Sequence, residues 1–423
     1  MLKKTVLKNG MRMFEIPVSG TEAATLFVMC KIGSRNESAH LAGASHFIEH
    51  LMFKGTRRRP NTLKISQELD SVGAEYNAFT GKDLTGYYIK IEAEHMPMAS
   101  DLLHDMLFSS RFDSKEMNRE KKVILEEINM YHDNPMFYVE ELMESALFGN
   151  HPLGREIAGS HESMLAMKRE DVIKYRNSAY VPENMIVAIA GNVDPKSSAL
   201  VKRMFGSVPK SKKETKIECE SQSIVHALPS AKIQKKKSAQ SQISIGFPTV
   251  GYMDKTEPAI KILSLILGGS MSSRLFVEVR ERKGLAYSIG TSVNMYEGTG
   301  AFVVQAGLDR SRIELACKII RAELEKVKKR GVSAKELRMA KDCIKGRMAL
   351  QMEDSHAVAE FYLRQALFLP SIQTPRDRLH DFFAVTQKQI QKAANDIFDI
   401  RRIAVGAIGP FNSTDQVLKL FAK

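Results

Sequence analysis

Cysteine is scarce, and its placement excludes two classes of protein. Cys30, Cys219, Cys317 and Cys343 are scattered along the chain with no C-x-x-C pair. That argues against a disulfide framework and against a thiolate metal site, and it points to a reducing compartment. Long apolar runs are missing as well: none approaches the roughly 18 residues that a membrane-spanning helix needs. Lys3 and Lys4 are not followed by an apolar h-region, so no secretory signal is expected. The expected location is the bacterial cytoplasm, or an organellar matrix if a transit peptide has been removed. Phosphate loops are also absent, because neither Gly-Lys-Ser/Thr nor G-x-G-x-x-G follows Gly268-Gly269-Ser270.

What is present is ordinary in bulk. Hydrophobic residues make up 43% and charged residues 26%, as in a globular protein. With 423 residues the chain is too long for one core and suits two domains. The net charge is +13, but Lys202 to Lys237 holds ten Lys or Arg against three Glu, which is 10 − 3 = +7. Pro209, Ser211, Ser221, Ser223, Pro229 and Ser230 punctuate this stretch. It reads as a basic linker, 209–238, between a domain at 1–208 and another at 239–423. No recognised motif supports nucleic-acid binding. The 22 methionines are most simply core filler.

His46-Phe47-Ile48-Glu49-His50 carries the chemistry. Two histidines four apart share one helix face, since a helix turns about once per 3.6 residues. Both imidazoles can reach one metal ion. Glu49 falls on the same side, where a carboxylate can take a proton from the attacking water. The order H-x-x-E-H marks the inverzincin metallopeptidases. A third ligand is needed, because catalytic zinc usually takes three protein ligands. The segment 118–128 reads as a helix, with Glu120 and Glu127 seven apart on one face and apolar Val123, Ile124 and Ile128 turned to a core. Two carboxylates on a packed helix need a partner, which a metal and its surroundings supply. Zn2+ suits two histidines and a carboxylate; the residue types also admit Mn2+ or Co2+.

The two halves look duplicated. A helix from Asp171 followed by a strand ending at Gly191 recurs from Gln389 to Gly409, 409 − 191 = 218 residues later. Thr25–Gly33 likewise resembles Gln242–Pro248. Mixed helices and strands predict α+β units. Where the first half has its H-x-x-E-H helix, the second has the apolar run 259–269, which offers no ligand. One zinc per chain is therefore expected.

The runs 41–56 and 119–128 resemble the pitrilysin, insulysin and mitochondrial processing peptidase family, closest to the processing-peptidase β-subunit type and its single-chain bacterial relatives. So do Gly73-Ala74-Glu75-Tyr76-Asn77-Ala78-Phe79-Thr80, His151-Pro152-Leu153-Gly154-Arg155 and Arg280-Glu281-Arg282-Lys283-Gly284-Leu285-Ala286-Tyr287. The resemblance implies that each unit is an open, mostly antiparallel sheet covered by helices, and that two units form half of a clamshell. It makes Glu127 the third ligand beside His46 and His50, Glu49 the general base and Glu120 the outer glutamate that supports the site. It implies that Tyr76–Thr80 is an edge strand that pairs with extended peptide, with Asn77 and Ala78 contacting substrate. Phe53 matches an apolar contact for the side chain after the cut, although core packing explains it equally well. Arg280 and Tyr287 match a pair that approaches zinc from the opposite half of the clamshell. The active family clamshell has four units, so a homodimer, or a heterodimer with a related subunit, is implied. Processing peptidases carry acids about ten and fourteen positions beyond the third ligand; here these are Phe137 and Glu141, so one acid is kept. The activity implied is zinc-dependent endopeptidase cleavage of extended peptides in a dimeric chamber. The alternative, a non-catalytic partner subunit of a larger complex, fits family members that have lost ligands or base, and this sequence keeps them.

Overall fold

A computed structural model describes residues 2–210, 228–238 and 240–422. Its strands are β1 (Lys3–Val6), β2 (Arg12–Pro17), β3 (Ala23–Cys30), β4 (Glu75–Thr80), β5 (Thr85–Glu92), β6 (Met185–Gly191), β7 (Ser230–Lys235), β8 (Gln240–Thr249), β9 (Ala286–Tyr296), β10 (Thr299–Asp309) and β11 (Ala404–Gly409). Its helices are α1 (Ala44–Met52), α2 (Thr62–Asp70), α3 (Met96–Ser109), α4 (Ser114–Asp133), α5 (Pro135–Phe148), α6 (His161–Ala166), α7 (Arg169–Ala179), α8 (Pro195–Gly206), α9 (Glu257–Gly268), α10 (Ile313–Arg330), α11 (Ala334–Gln351), α12 (Ser355–Phe368), α13 (Pro375–Ala384), α14 (Gln387–Ile397) and α15 (Thr414–Ala422).

The first compact unit comprises Met1–Ile128, Glu156–Cys219 and Met348–Ile372. Its sheet runs β1-β2-β6-β3-β5-β4, antiparallel except for the β2–β6 pair. β3 is apolar from Leu26 to Cys30 and buried over seven of its eight residues, because helices cover the sheet. One of these is α12, which arrives from late in the sequence: Thr25 Oγ1 meets Ser355 Oγ at 2.8 Å, and the Phe27 ring stacks on His356 at 5.1 Å.

The second unit comprises Asn129–Arg155, Glu220–Arg347 and Gln373–Lys423. Its sheet runs β7-β11-β8-β10-β9, again with a single parallel pair, β7–β11. Strand for strand this repeats β2-β6-β3-β5-β4, so the α+β duplication expected from the sequence is present. α5 packs here on β8 and β11. A Cβ at Gly406 would stand 2.2 Å from Val139 O, so only glycine admits so close an approach.

Two boundaries differ from the expectation. Residues 211–227 of the expected linker lie outside the described residues, but Ser230–Lys235 is not linker: it is edge strand β7, paired in parallel with β11. Its lysines masked it in the sequence, yet charge along an edge strand is how proteins discourage stray pairing. The compact units also depart from 1–208 and 239–423, since 129–155 groups with the second unit and 348–372 with the first. Each repeat lends one helix, α5 or α12, to the sheet of the other, and no local pattern announces such an exchange.

Candidate metal centre

α1 is held at its start by a buried acid. Gly43 sits at the helix N-terminus with φ 95°, where a Cβ would stand 2.4 Å from Ala158 O. Glu37, only 4% exposed, accepts hydrogen bonds from the amides of Gly43 (2.7 Å) and Ser45 (2.6 Å). A carboxylate there suits the helix dipole. Ala44, Ser45, Phe47, Ile48, Leu51 and Met52 are buried, which leaves His46, Glu49 and His50 on the half-buried face.

α4 supplies the facing acids. Met117, Glu120, Ile124 and Ile128 are its buried stripe. Glu127 lies 3.7 Å from His46 Nε2 and 3.5 Å from His50 Nε2, and the two Nε2 atoms are 3.2 Å apart. His46, His50 and Glu127 thus offer one ligand atom each within 4.8 Å of one another. His50 Nδ1 lies 2.8 Å from Glu120 Oε1, and Lys54 Nζ 2.8 Å from Glu120 Oε2. A proton on Nδ1, donated to Glu120, leaves the Nε2 lone pair facing the cluster.

Electrostatics favours the same protonation states. Burial, and then the nearby His50, push His46 down to about 3, so it stays neutral. Burial raises Glu120, but hydrogen bonds from His50 and Lys54 outweigh it and leave this carboxyl below its usual range. Burial raises Glu49, partly offset by its hydrogen bond from Thr80. Two imidazoles and one carboxylate converging on one point are a donor set that fits Zn2+.

The remaining candidates fall in several places. Asn77 is exposed on β4, which is indeed an edge strand, and its Oδ1 accepts from the Ala78 amide at 2.9 Å; Ala78 is buried. Phe53 follows α1 and is partly buried against the core of its unit. In the second unit, Glu141 is half-buried on α5, and Arg280 stacks on the rings of Phe276 (4.7 Å) and Tyr287 (5.9 Å). Tyr287 is 71% exposed at the start of β9. Two residues of the site were missed. Thr80 Oγ1 donates to Glu49 Oε2 at 2.5 Å, and Lys54 reaches Glu120. Lys54 lies four beyond His50, so helical spacing could have found it; Thr80 arrives from a strand and had no such signal. His95 forms with Glu92 and Glu94 a mostly exposed cluster of metal-binding residue types.

Both halves of the chain match known protein-family models. Residues 16–161 match the model described as Insulinase (Peptidase family M16), and residues 166–343 match the Peptidase M16 inactive domain. An uncharacterized zinc protease of Bacillus subtilis is 32% identical over 94% of this chain and 96% of its own length. One from Mycobacterium leprae is 33% identical over 97% and 92%. The crystal structure of a protease from Helicobacter pylori superposes with TM-score 0.90 at 24% identity, over 97% of this chain and 99% of that one. Both halves match the models of one family, and relatives above 30% identity align almost end to end: the chain belongs to peptidase family M16, the insulinase family.

Proposed function

We propose that the chain is a zinc-dependent endopeptidase that cleaves extended peptides or unfolded segments. The observation that carries this reading is the convergence of His46, His50 and Glu127 with Glu49 on the same helix face. His46, His50 and Glu127 would hold the ion, one per chain. When bound there, Zn2+ supplies Lewis-acid activation of water and of the scissile carbonyl. Glu49 takes a proton from the attacking water and delivers it to the leaving amine. Thr80 occupies Glu49 Oε2, which leaves Oε1 as the proton acceptor. Glu120, anchored by Lys54, fixes the His50 tautomer.

Substrate is held by backbone pairing along the β4 edge, which reads chain extension more than side chains. Asn77 and Ala78 lie on that edge, and Phe53 and Glu141 are proposed as further contacts. Arg280 and Tyr287 act at the zinc site of a second chain, Tyr287 stabilising the oxyanion and Arg280 orienting substrate. A homodimer, or a heterodimer with a related subunit, closes the chamber. The full set of ligands and base supports this reading over a non-catalytic partner subunit.

The test is hydrolysis of quenched peptides of roughly 10 to 30 residues, long enough to pair along an edge strand. Zinc is counted on the same sample before and after chelation. Cleavage that disappears with the zinc is expected. A protein that cannot be loaded with zinc sinks the proposal.

A further inference from the structure

The open edge of β4 has two faces, because side chains alternate along a strand. Tyr76, Ala78 and Thr80 share the face of α1, where Thr80 reaches Glu49. Glu75, Asn77 and Phe79 turn to the face covered by α12. There Phe79 meets Phe27 edge to face (6.2 Å), and Phe27 stacks on His356 of α12. Lys90, level with Glu75, bonds Asp354 at the start of α12 (2.5 Å). The Ala78 amide donates to Asn77 Oδ1 and not to β5, so its backbone faces the open edge. A peptide that pairs there alternates its own side chains in step with β4. The side chain level with Ala78 turns to α1, and the one level with Phe79 turns to α12.

The α12 side of this edge is built around one ring and one cation. Gly86 of β5 is level with Phe79, and a Cβ there would stand 2.7 Å from the Phe79 ring. The glycine lets that ring fold inward across the sheet onto Phe27. Arg364 of α12 lies over the ring, its Cζ 5.6 Å from the centroid. One turn earlier, Glu360 Oε1 accepts from both Arg364 Nε and Nη2 at 2.7 Å, which fixes the guanidinium in place. The Arg364 side chain is still 43% exposed. Charge around this corner does not invite an anion: Glu75, Asp354 and Glu360 stand against Lys90 and Arg364. What it offers is a planar, braced guanidinium beside an aromatic ring, and both favour a second ring.

We propose that this corner is a specificity subsite for an aromatic side chain of the peptide. The inference rests on the peptidase reading, with β4 as the docking edge, and adds a preference to it. The ring of the peptide residue level with Phe79 lies against Arg364 and the rim of Phe79. Arg364 is then a specificity-determining residue, although it belongs to the helix that comes from late in the sequence and touches none of the metal ligands. Backbone pairing alone would read only chain extension. The subsite makes one peptide position count, and the alternation of side chains makes its two neighbours indifferent to Arg364.

The probes are quenched peptides of one sequence in which phenylalanine, cyclohexylalanine, glutamate or alanine is placed at each position in turn. Two quantities are read on the full, zinc-loaded chain: kcat/KM, and the affinity of the same labelled peptides for Glu49→Gln by fluorescence anisotropy. Cyclohexylalanine matches the size and apolarity of phenylalanine without its π-face. At one position phenylalanine should exceed cyclohexylalanine by about two- to fivefold in both readouts, the size of a cation–π contact at an exposed site. Glutamate should be the poorest there. Arg364→Gln, a change on an exposed helix face with little risk to folding, should erase the preference at that position and at no other. The subsite is overturned, and the peptidase reading left standing, if peptides are cleaved but no position loses an aromatic preference in Arg364→Gln. Glutamate preferred at the Arg364-dependent position overturns it too, because the guanidinium then serves an anion. If the zinc-loaded protein neither cleaves nor binds any of the peptides, the peptidase reading falls and the subsite falls with it.

Discussion

At the scale of single residues, the proposed function assigns holding the metal and moving the proton to different side chains. Glu49 lies beside the ligand cluster, and its Oε2 is taken by Thr80. Glu49→Gln keeps the side chain's shape, so zinc content should stay at one per chain while kcat falls by roughly 10²- to 10⁴-fold, the usual contribution of a general base. Normal turnover with normal zinc would remove Glu49 from that role. Glu120→Gln should fail differently. It weakens the acceptor facing His50 Nδ1 and leaves Lys54 beside a neutral amide, so zinc affinity should drop about 10- to 100-fold, read by competition with a chelator. The sequence made His46, Glu49 and His50 plain because helical spacing is short-range geometry. Glu127 needed family resemblance, since spacing alone could not rank it against Glu120. Thr80 stayed hidden because a strand-to-helix contact leaves no periodic trace.

At the scale of elements, the lent helices should be the most sensitive to bulk. A methyl at Gly406 would meet Val139 O at 2.2 Å and Met143 N at 2.6 Å, both backbone atoms that cannot rotate away. Gly406→Ala should therefore cost about 3 kcal/mol by overpacking. Gly346, inside α11, has nothing within 4 Å of the same methyl, so Gly346→Ala should be neutral or stabilise by up to about 1 kcal/mol. Urea denaturation of both variants decides this, and similar losses in the two would contradict the close packing of α5. A second element-level expectation concerns α9. Burial raises the Glu257 carboxyl, but Lys261 at 2.6 Å and Arg378 outweigh it and hold it below the usual range. A depressed acid gives stability that is present above its unfolded value and lost as pH falls through the lower folded one. Glu257→Gln should cost about 3 kcal/mol at neutral pH, because it leaves Arg378 without its buried partner. The gap from wild type should close in acid below the ordinary carboxylate range. Strand β7 shows why elements were harder to read than residues: Lys232, Lys235 and Lys236 look like solvated linker until β11 is seen beside them.

At the scale of the whole molecule, duplication was legible and exchange was not. The repeated helix-then-strand ending at Gly191 and Gly409 is a local pattern, so it survives in the sequence. The lending of α5 and α12 depends on which sheet each meets in space, which a chain read in order cannot show. The second repeat has the architecture without the counterpart of the His46, His50 and Glu127 cluster. Lys261 and Leu265 on α9 stand four apart, as His46 and His50 do on α1, and Arg347 on α11 falls at the place of Glu127 when α4 and α11 are aligned by Lys121 and Lys341, each of which donates to two backbone carbonyls later in its repeat. Such a half persists for reasons other than holding zinc, and the exposed, stacked Arg280–Tyr287 pair offers one. An exposed tyrosine braced by a guanidinium is poised to meet another surface. If that surface is the zinc site of a second chain, the defects of Glu49→Gln and Tyr287→Phe fall in different sites of one dimer. In a heterodimer of the two variants, one site carries both lesions and the other carries neither. Mixing the two inactive proteins and letting subunits exchange should then restore activity, up to about a quarter of wild type if exchange is random, since half the dimers are mixed and each keeps one of two sites. Recovery should rise with exchange time, followed by mass-tagged subunits. Exchange that reaches equilibrium with no recovered cleavage would place Tyr287 in the site of its own chain or outside catalysis altogether.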